Sequence, residues 1–279
     1  MLLAKLFRVL FKIPVFRNRF YGIYIRLIKP FNLFDNTKVS AIYDGDVLID
    51  LHLKDWVQIQ IYFLDYFDLR GIKYLKSILK EGSTFIDIGA NIGSYSLVAS
   101  KLVGDNGKVF AFEPVDKIFT SLKKTISNNS IYNIDLIKKI VTNKVSEFNI
   151  YISDDSNSGR STILENEEME KFEVVESITL DKFIEEVNID RIDFIKIDVE
   201  GAELSVLEGM KNVLTKFRPI LFIEISPDIK SNQGAQENSI TDFLSALGYE
   251  KYQANSNGTL SPYDPNYKTN YHNFAFLPI

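Results

Sequence analysis

Phe85-Ile86-Asp87-Ile88-Gly89-Ala90-Asn91-Ile92-Gly93 is the stretch on which the fold turns. Residues 84–88 form an apolar, β-branched run of strand length, and a helical pattern begins at Ser94. Glycines at 89 and 93 sit at that strand-to-helix turn, where backbone N–H groups and a missing side chain favour a nucleotide-like ligand. The next strand, 108–112, ends at Glu113, twenty residues after Gly93. An acid there is placed to accept hydrogen bonds from both ribose hydroxyls of an adenosine.

Dinucleotides and S-adenosylmethionine share this arrangement. The glycine spacing is G-x-x-x-G, not the dinucleotide G-x-G-x-x-G. Asp87, two positions before the first glycine, would repel a diphosphate and attract the sulfonium and ammonium of S-adenosylmethionine. Charge therefore favours the methyl donor over a nicotinamide cofactor and an oxidoreductase. A plainer reading has Asp87 cap the turn that the glycines make.

Working outward, the chain alternates strand and helix from residue 84 onward. Helices are expected at 94–103, 116–127, 180–187, 202–216 and 239–247. Strands are expected at 84–88, 108–112, 134–137, 191–197, 220–225 and 273–277. Such alternation with short connections implies a parallel α/β sheet covered by helices on both faces. Upstream, 39–53 reads as a hairpin about Asp44-Gly45-Asp46, and 55–80 as one or two helices broken near Gly71. Two regions follow: an N-terminal extension, 1–75, and a ligand-binding body, 76–279.

A second acidic block, Ile195-Lys196-Ile197-Asp198-Val199-Glu200-Gly201-Ala202-Glu203, follows a later strand. Ligands of open α/β sheets bind outside the carboxyl ends of strands, so Asp87, Glu113, Asp198, Glu200 and Glu224 gather on one rim. Asp198 and Glu200 read as functional, Glu203 as a helix-start partner.

Composition narrows the chemistry. The 279 residues are 46% hydrophobic and 25% charged, too apolar for disorder. With no cysteine and only two histidines, His52 and His272, disulfides, thiolate zinc sites and H-x-x-x-H zinc sites are excluded. No metal is assigned. Residues 1–34 carry seven basic side chains and no acid, which leaves 25 basic against 37 acidic residues, a balance of −12. An acidic body argues against nucleic-acid binding.

The basic head is apolar but broken by a cation every three or four residues, so it is neither a signal-peptide core nor a membrane span. Lys5, Arg8 and Lys12 share one helical stripe and Leu2, Leu3, Leu6, Leu10 and Ile13 fall mainly away from it. Two readings stand side by side. The segment lies on an anionic membrane surface, or it docks on the body or on a second subunit of a homo-oligomer.

The strings at 85–96, 109–114 (V-F-A-F-E-P), 177–183 (S-I-T-L-D-K-F), 192–203 (I-D-F-I-K-I-D-V-E-G-A-E) and 221–225 (L-F-I-E-I) resemble the FkbM-type S-adenosylmethionine-dependent methyltransferases, from about Val47 to the end. The resemblance implies a Rossmann-like sheet of seven strands, mostly parallel with the last antiparallel. It also implies O-methylation of sugars or secondary metabolites. By that likeness Asp87, Gly89, Asn91 and Gly93 form the methionine-side loop and Glu113 holds the ribose. Asp198 and Glu200 face the reacting centre. Family members often carry a His shortly after the acid of the fifth core strand. Here Glu224 is followed by Ile225-Ser226-Pro227, which leaves His272 as the substitute.

An alcohol acceptor must lose its proton near the transition state, and Glu200 is the first choice of base. Asp198 is the second, or holds the cofactor ammonium. Polar loops 153–162 and 254–271, with Tyr263, Tyr267 and Tyr271, suit a sugar lying on ring faces or a lid. The expected acceptor is a sugar hydroxyl in a glycan or glycolipid, with a small metabolite and a non-catalytic scaffold as alternatives. The expected location is cytoplasmic, either unattached or peripheral on the inner face of the membrane.

Overall fold

The computed structural model describes residues 1–151, 161, 172–225, 233–264, 266 and 271–279, and of 233–236 only the backbone. Most of the loop expected at 153–162, and Tyr267, lie outside the described residues.

The chain opens with α1 (Leu2–Leu10), α2 (Pro14–Arg17), α3 (Phe20–Ile23) and a π-turn over Tyr24–Ile28. β1 (Lys38–Tyr43) and β2 (Val47–His52) then pair antiparallel as the expected hairpin. α4 (Trp56–Leu64) and α5 (Leu69–Ile78) each start on an aspartate: Asp55 accepts from the Gln58 N–H, and Asp68 from the Gly71 N–H. The break falls between these helices at Asp65–Asp68, not at Gly71 as the sequence reading has it. Gly71 lies within α5, where a Cβ would stand 1.8 Å from Tyr95 Oη. It permits close packing and does not end the helix.

β3 (Thr84–Ile88), α6 (Ser94–Val103), β4 (Lys108–Phe112), α7 (Asp116–Asn128) and β5 (Ile134–Ile137) follow the expected rhythm. β6 (Ile140–Val141), β7 (Glu147–Tyr151) and β8 (Phe172–Ile178) make a small separate sheet, before α8 (Leu180–Val187) and β9 (Phe194–Ile197). The helix expected over 202–216 is two, α9 (Glu203–Glu208) and α10 (Lys211–Phe217). Asp181 of α8 accepts from the N–H groups of Asn212 and Val213 at 3.1 and 2.9 Å, which gives α10 a helix start of its own. β10 (Ile220–Glu224), α11 (Gln233–Ala246), β11 (Tyr249–Ala254), β12 (Leu260–Pro262) and β13 (Asn273–Pro278) complete the chain.

The main sheet has the order β12-β11-β13-β10-β9-β3-β4-β5. β10, β9, β3, β4 and β5 run parallel, and the last strand, β13, is antiparallel to both its neighbours. This is the expected Rossmann-like architecture, with the short edge strand β12 as an eighth strand. β11 escapes sequence reading because its Lys251 is buried. The ammonium pairs with Glu237 at 2.5 Å and faces the rings of Tyr263 and Phe274 at 3.8 and 4.0 Å.

Every residue of β3 and β9 is buried, as strands covered on both faces must be. Alternation sends Phe85, Phe194 and Phe222 into one apolar layer and Ile86, Ile195 and Ile223 into the other. The N-terminal extension joins the first layer: Tyr43 Oη donates to the Ser94 carbonyl at 2.8 Å, and Lys101 pairs with Asp44 and Asp46. β3 pairs with β4 on one side and β9 on the other, so the strand order reverses at the turn carrying Gly89.

Candidate active site

A cleft of about 590 Å³ opens at that reversal, outside the carboxyl ends of β3, β4, β9 and β10. Asp87, Gly89, Asn91, Glu113, Asp198, Glu200 and His272 all line it, as does Glu224. Of the residues assigned to the donor or to catalysis from sequence, Gly93 alone stands back from it, and Tyr263 and Tyr271, expected to face a sugar, do not line it either. With φ +85° Gly93 starts α6, and its carbonyl accepts from the Leu97 N–H.

The turn after β3 is held against the two neighbouring strands. Gly89 and Ala90 both donate N–H to the Phe112 carbonyl, at 3.0 and 2.9 Å. Gly89 has φ +85°, and a Cβ there would lie 1.9 Å from the Asp198 carbonyl oxygen, so no other residue fits. Asn91 is also left-handed, with φ 51°, and its side-chain oxygen accepts from the Ile92 N–H at 2.7 Å. Asparagine tolerates that backbone because its own amide can bond locally.

Glu113 is buried, and each carboxylate oxygen has a backbone partner: Oε2 accepts from Asn91 at 2.9 Å and Oε1 from Val115 at 2.8 Å. Burial pushes its pKa up to about 7 against the pull of those two donors. The sequence reading sets this acid on the open rim at the strand ends. The structure instead encloses it, because loops after both β3 and β4 fold over the carboxylate. Asp87 is likewise buried and pushed up to about 6, although Ser96 Oγ donates to it at 2.5 Å and the Lys196 ammonium lies near.

Lys196 sits in β9 at 2% exposure. Its ammonium is 3.2 Å from Asp198 Oδ2 and 5.3 Å from the Tyr95 ring centre. Burial alone would lower its pKa, but the negative field of Asp198, Glu224 and Asp87 holds it above the ordinary value. The Asp198 charge first, and burial second, drive Glu224 well above the usual carboxylate range, and the two side chains are hydrogen-bonded. Two acids and one buried cation thus share this corner of the cleft. Glu200 has φ 51°, uncommon for a residue with a Cβ. Glu203 is buried and accepts from the Gly201 N–H at 2.9 Å, in keeping with a helix-start role.

The opposite wall belongs to the extension: Tyr21, Tyr24, Ile25, Lys29, Trp56 and Asp68. Asp68 accepts from Tyr95 Oη at 2.5 Å and from Tyr271 Oη at 2.8 Å, joining the extension to α6 and to the chain end. Sequence reasoning misses Asp68, Tyr95 and Lys196 as site residues. The signal within reach is Lys196, a lone cation inside an apolar strand. His52 lies elsewhere, its ring Nε2 2.8 Å from the Asp35 carbonyl.

The Methyltransferase FkbM domain profile matches residues 87–251. Over 182 residues the chain is 25% identical to hexuronic acid methyltransferase AglP of Haloferax volcanii, covering 64% of this chain and 70% of the relative. The solved methyltransferase FkbM of Methylobacillus flagellatus superposes over 92% of this chain and 60% of its own, at 13% identity and TM-score 0.47. A methyltransferase of Streptococcus mutans, solved in complex with SAH, superposes over 74% and 92%, at 14% identity and TM-score 0.44.

Sheet order, strand-end cleft and sequence likeness together define a Rossmann-like S-adenosylmethionine-dependent methyltransferase. Within that class, the chain belongs to the FkbM methyltransferase family. The cleft volume falls in the range of small-molecule sites. Its buried Asp87 and the turn at Gly89 fit a cationic nucleoside. No described helix is long and apolar enough to cross a membrane.

Proposed function

We propose that the chain transfers a methyl group to a sugar hydroxyl of a glycan or glycolipid, with Glu200 as the base. The observation carrying this reading is the convergence of Asp198, Glu200, Glu224 and His272 in the same cleft as Asp87 and Glu113.

Donor binding falls to the turn after β3 and to Glu113. The Asn91 and Val115 N–H groups fix the Glu113 carboxylate, whose remaining lone pairs are directed to ribose hydroxyls. Asp87 lends negative charge to the methionine side, and Asp198, steadied by Lys196, holds the ammonium. S-adenosylmethionine, when bound, supplies an activated sulfonium methyl.

The remaining task is alignment of the acceptor oxygen with that methyl, and removal of the acceptor proton. Glu200 takes the proton. Glu224, kept protonated by its neighbour Asp198, donates a hydrogen bond at the same corner. Tyr21, Tyr24 and Trp56 offer ring faces to a sugar. The hexuronic acid specificity in the name of the Haloferax volcanii relative supports a sugar acceptor.

The test is methyl transfer from labelled donor to a panel of hexose and hexuronic acid glycans, with products treated with mild alkali. Ether-linked label survives alkali and supports O-methylation of a hydroxyl. Label released by alkali marks a carboxyl ester and overturns the hydroxyl assignment. Transfer only to a non-sugar acceptor overturns the sugar.

A further inference from the structure

The N-terminal segment is docked on the fold and exposes an apolar, basic surface at the same time. α1 buries Ala4 and packs Phe7 against Phe34 with ring centres 5.5 Å apart, while Phe11 meets Phe63 at 5.3 Å. On its other side Leu2, Leu6, Val9 and Ile13, at i, i+4, i+7 and i+11, are 74%, 59%, 64% and 48% exposed. The surface continues through Val15, Phe16, Tyr21, Ile25, Leu27 and Phe31. Twelve of the twenty-one exposed large hydrophobics among the described residues fall within residues 1–31. A surface patch of that kind marks an interaction site.

Charge selects the occupant. Lys5, Lys12, Arg19, Arg26 and Lys29 are exposed, and no salt bridge links them to a described acid. Residues 1–34 contain no acid at all. Arg8 is spent internally, over the Tyr62 ring at 4.7 Å, and Arg17 pairs with Asp65 at 3.1 Å. A second copy meeting this patch across a two-fold axis would set cations against cations. An anionic bilayer accepts both the apolar side chains and the cations around them.

We propose that residues 1–31 are a docking face for anionic lipid bilayers, and that the cleft takes its acceptor from that surface. Tyr21, Ile25 and Lys29 belong to the face and also line the cleft. The cleft therefore opens beside the bilayer, and the acceptor is a glycan carried on a lipid. That second part rests on the sugar reading above. Vesicle binding needs no turnover, so the two fail separately.

The experiment is sedimentation of the full chain with phosphatidylglycerol–phosphatidylcholine vesicles and with phosphatidylcholine alone, at low and high salt. Two variants accompany it: Leu6→Ser/Val9→Ser/Ile13→Ser and Lys5→Glu/Lys12→Glu, all at exposed positions. The full chain should pellet with anionic vesicles at low salt. Binding should weaken at least about tenfold in high salt, on neutral vesicles and in either variant. Affinity for S-adenosylhomocysteine should stay unchanged in both variants, which separates lost docking from lost folding. No sedimentation of the full chain at low salt overturns the proposal, and so does equal binding by both variants. A dimer that the triple serine variant converts to monomer, with no vesicle binding by either, assigns the face to a second copy and also overturns it.

Discussion

The Asn91 N–H donates to Glu113 Oε2 at 2.9 Å, so the turn after β3 and the acid after β4 are fixed to each other. The residues proposed to hold the donor thus form a closed hydrogen-bonded loop, and altering either partner disturbs both strand ends.

Replacing Glu113 therefore has two consequences. Glu113→Ala leaves the Asn91 and Val115 N–H groups without their acceptor, at about 1–3 kcal/mol for each group that stays dry. It should lower the melting temperature as well as weaken S-adenosylhomocysteine at least about tenfold. Glu113→Gln keeps one acceptor oxygen, so it should weaken the ligand with a smaller loss of melting temperature. Calorimetry and thermal denaturation read the two effects. Unchanged affinity in Glu113→Gln would remove this residue from the ribose site.

Binding and chemistry should separate at the second acidic block. Glu200→Gln keeps size and removes the base, so kcat should fall about a hundredfold while affinity for S-adenosylhomocysteine holds. Asp198→Asn should weaken that ligand too, because Asp198 is assigned the ammonium. Near-normal turnover in Glu200→Gln would move the base to His272, which lines the same cleft.

Two buried acids make ligand binding depend on pH. Folding raises Glu113 from an ordinary 4.5 to about 7 and Asp87 from 3.8 to about 6. The folded chain then binds more protons than the unfolded one across those windows. The stability these groups contribute is present at low pH and is lost as pH rises through the folded values. A cationic ligand prefers both acids ionised, so its binding strengthens in the same direction. The thermal shift given by S-adenosylmethionine, which carries the sulfonium, should accordingly be larger near about pH 8 than near about pH 5. Equal shifts at the two pH values would count against the assignment.

Gly71→Ala tests the packing behind the cleft. The added carbon would stand 1.8 Å from Tyr95 Oη and 2.8 Å from a Phe222 ring carbon. Overpacking of this kind costs about 1–3 kcal/mol. Removing the hydroxyl with Tyr95→Phe in the same chain should recover part of the lost melting temperature. No recovery would show that the strain comes from the Asp68 carboxylate, 2.5 Å from that carbon, or from the Phe222 ring.

The proposed donor half of this site is legible in sequence because it is local. Asp87, Gly89 and Asn91 lie within five residues, and Glu113 ends the very next strand. The rest depends on distant pairings that no short window contains. Asp68 meets Tyr95 across 27 positions and Tyr271 across 203. Lys196 reads as a fault in an apolar strand until Asp198, Glu224 and Asp87 are seen around it. β11 is hidden for the same reason, since its buried Lys251 is reconciled only by Glu237 and two rings. Gly71 shows the reverse error, a close-packing residue read as punctuation.

Tyr21, Tyr24, Trp56, Asp68 and His272 all lie outside residues 87–251, the stretch shared with the family, whereas the turn after β3 and Glu113 lie inside it. Substitutions upstream of β3 can remodel the far wall without replacing any residue proposed to hold the donor. The cleft is thus a fixed socket facing an exchangeable panel. A change of acceptor could evolve through the panel while methyl-donor affinity stays constant.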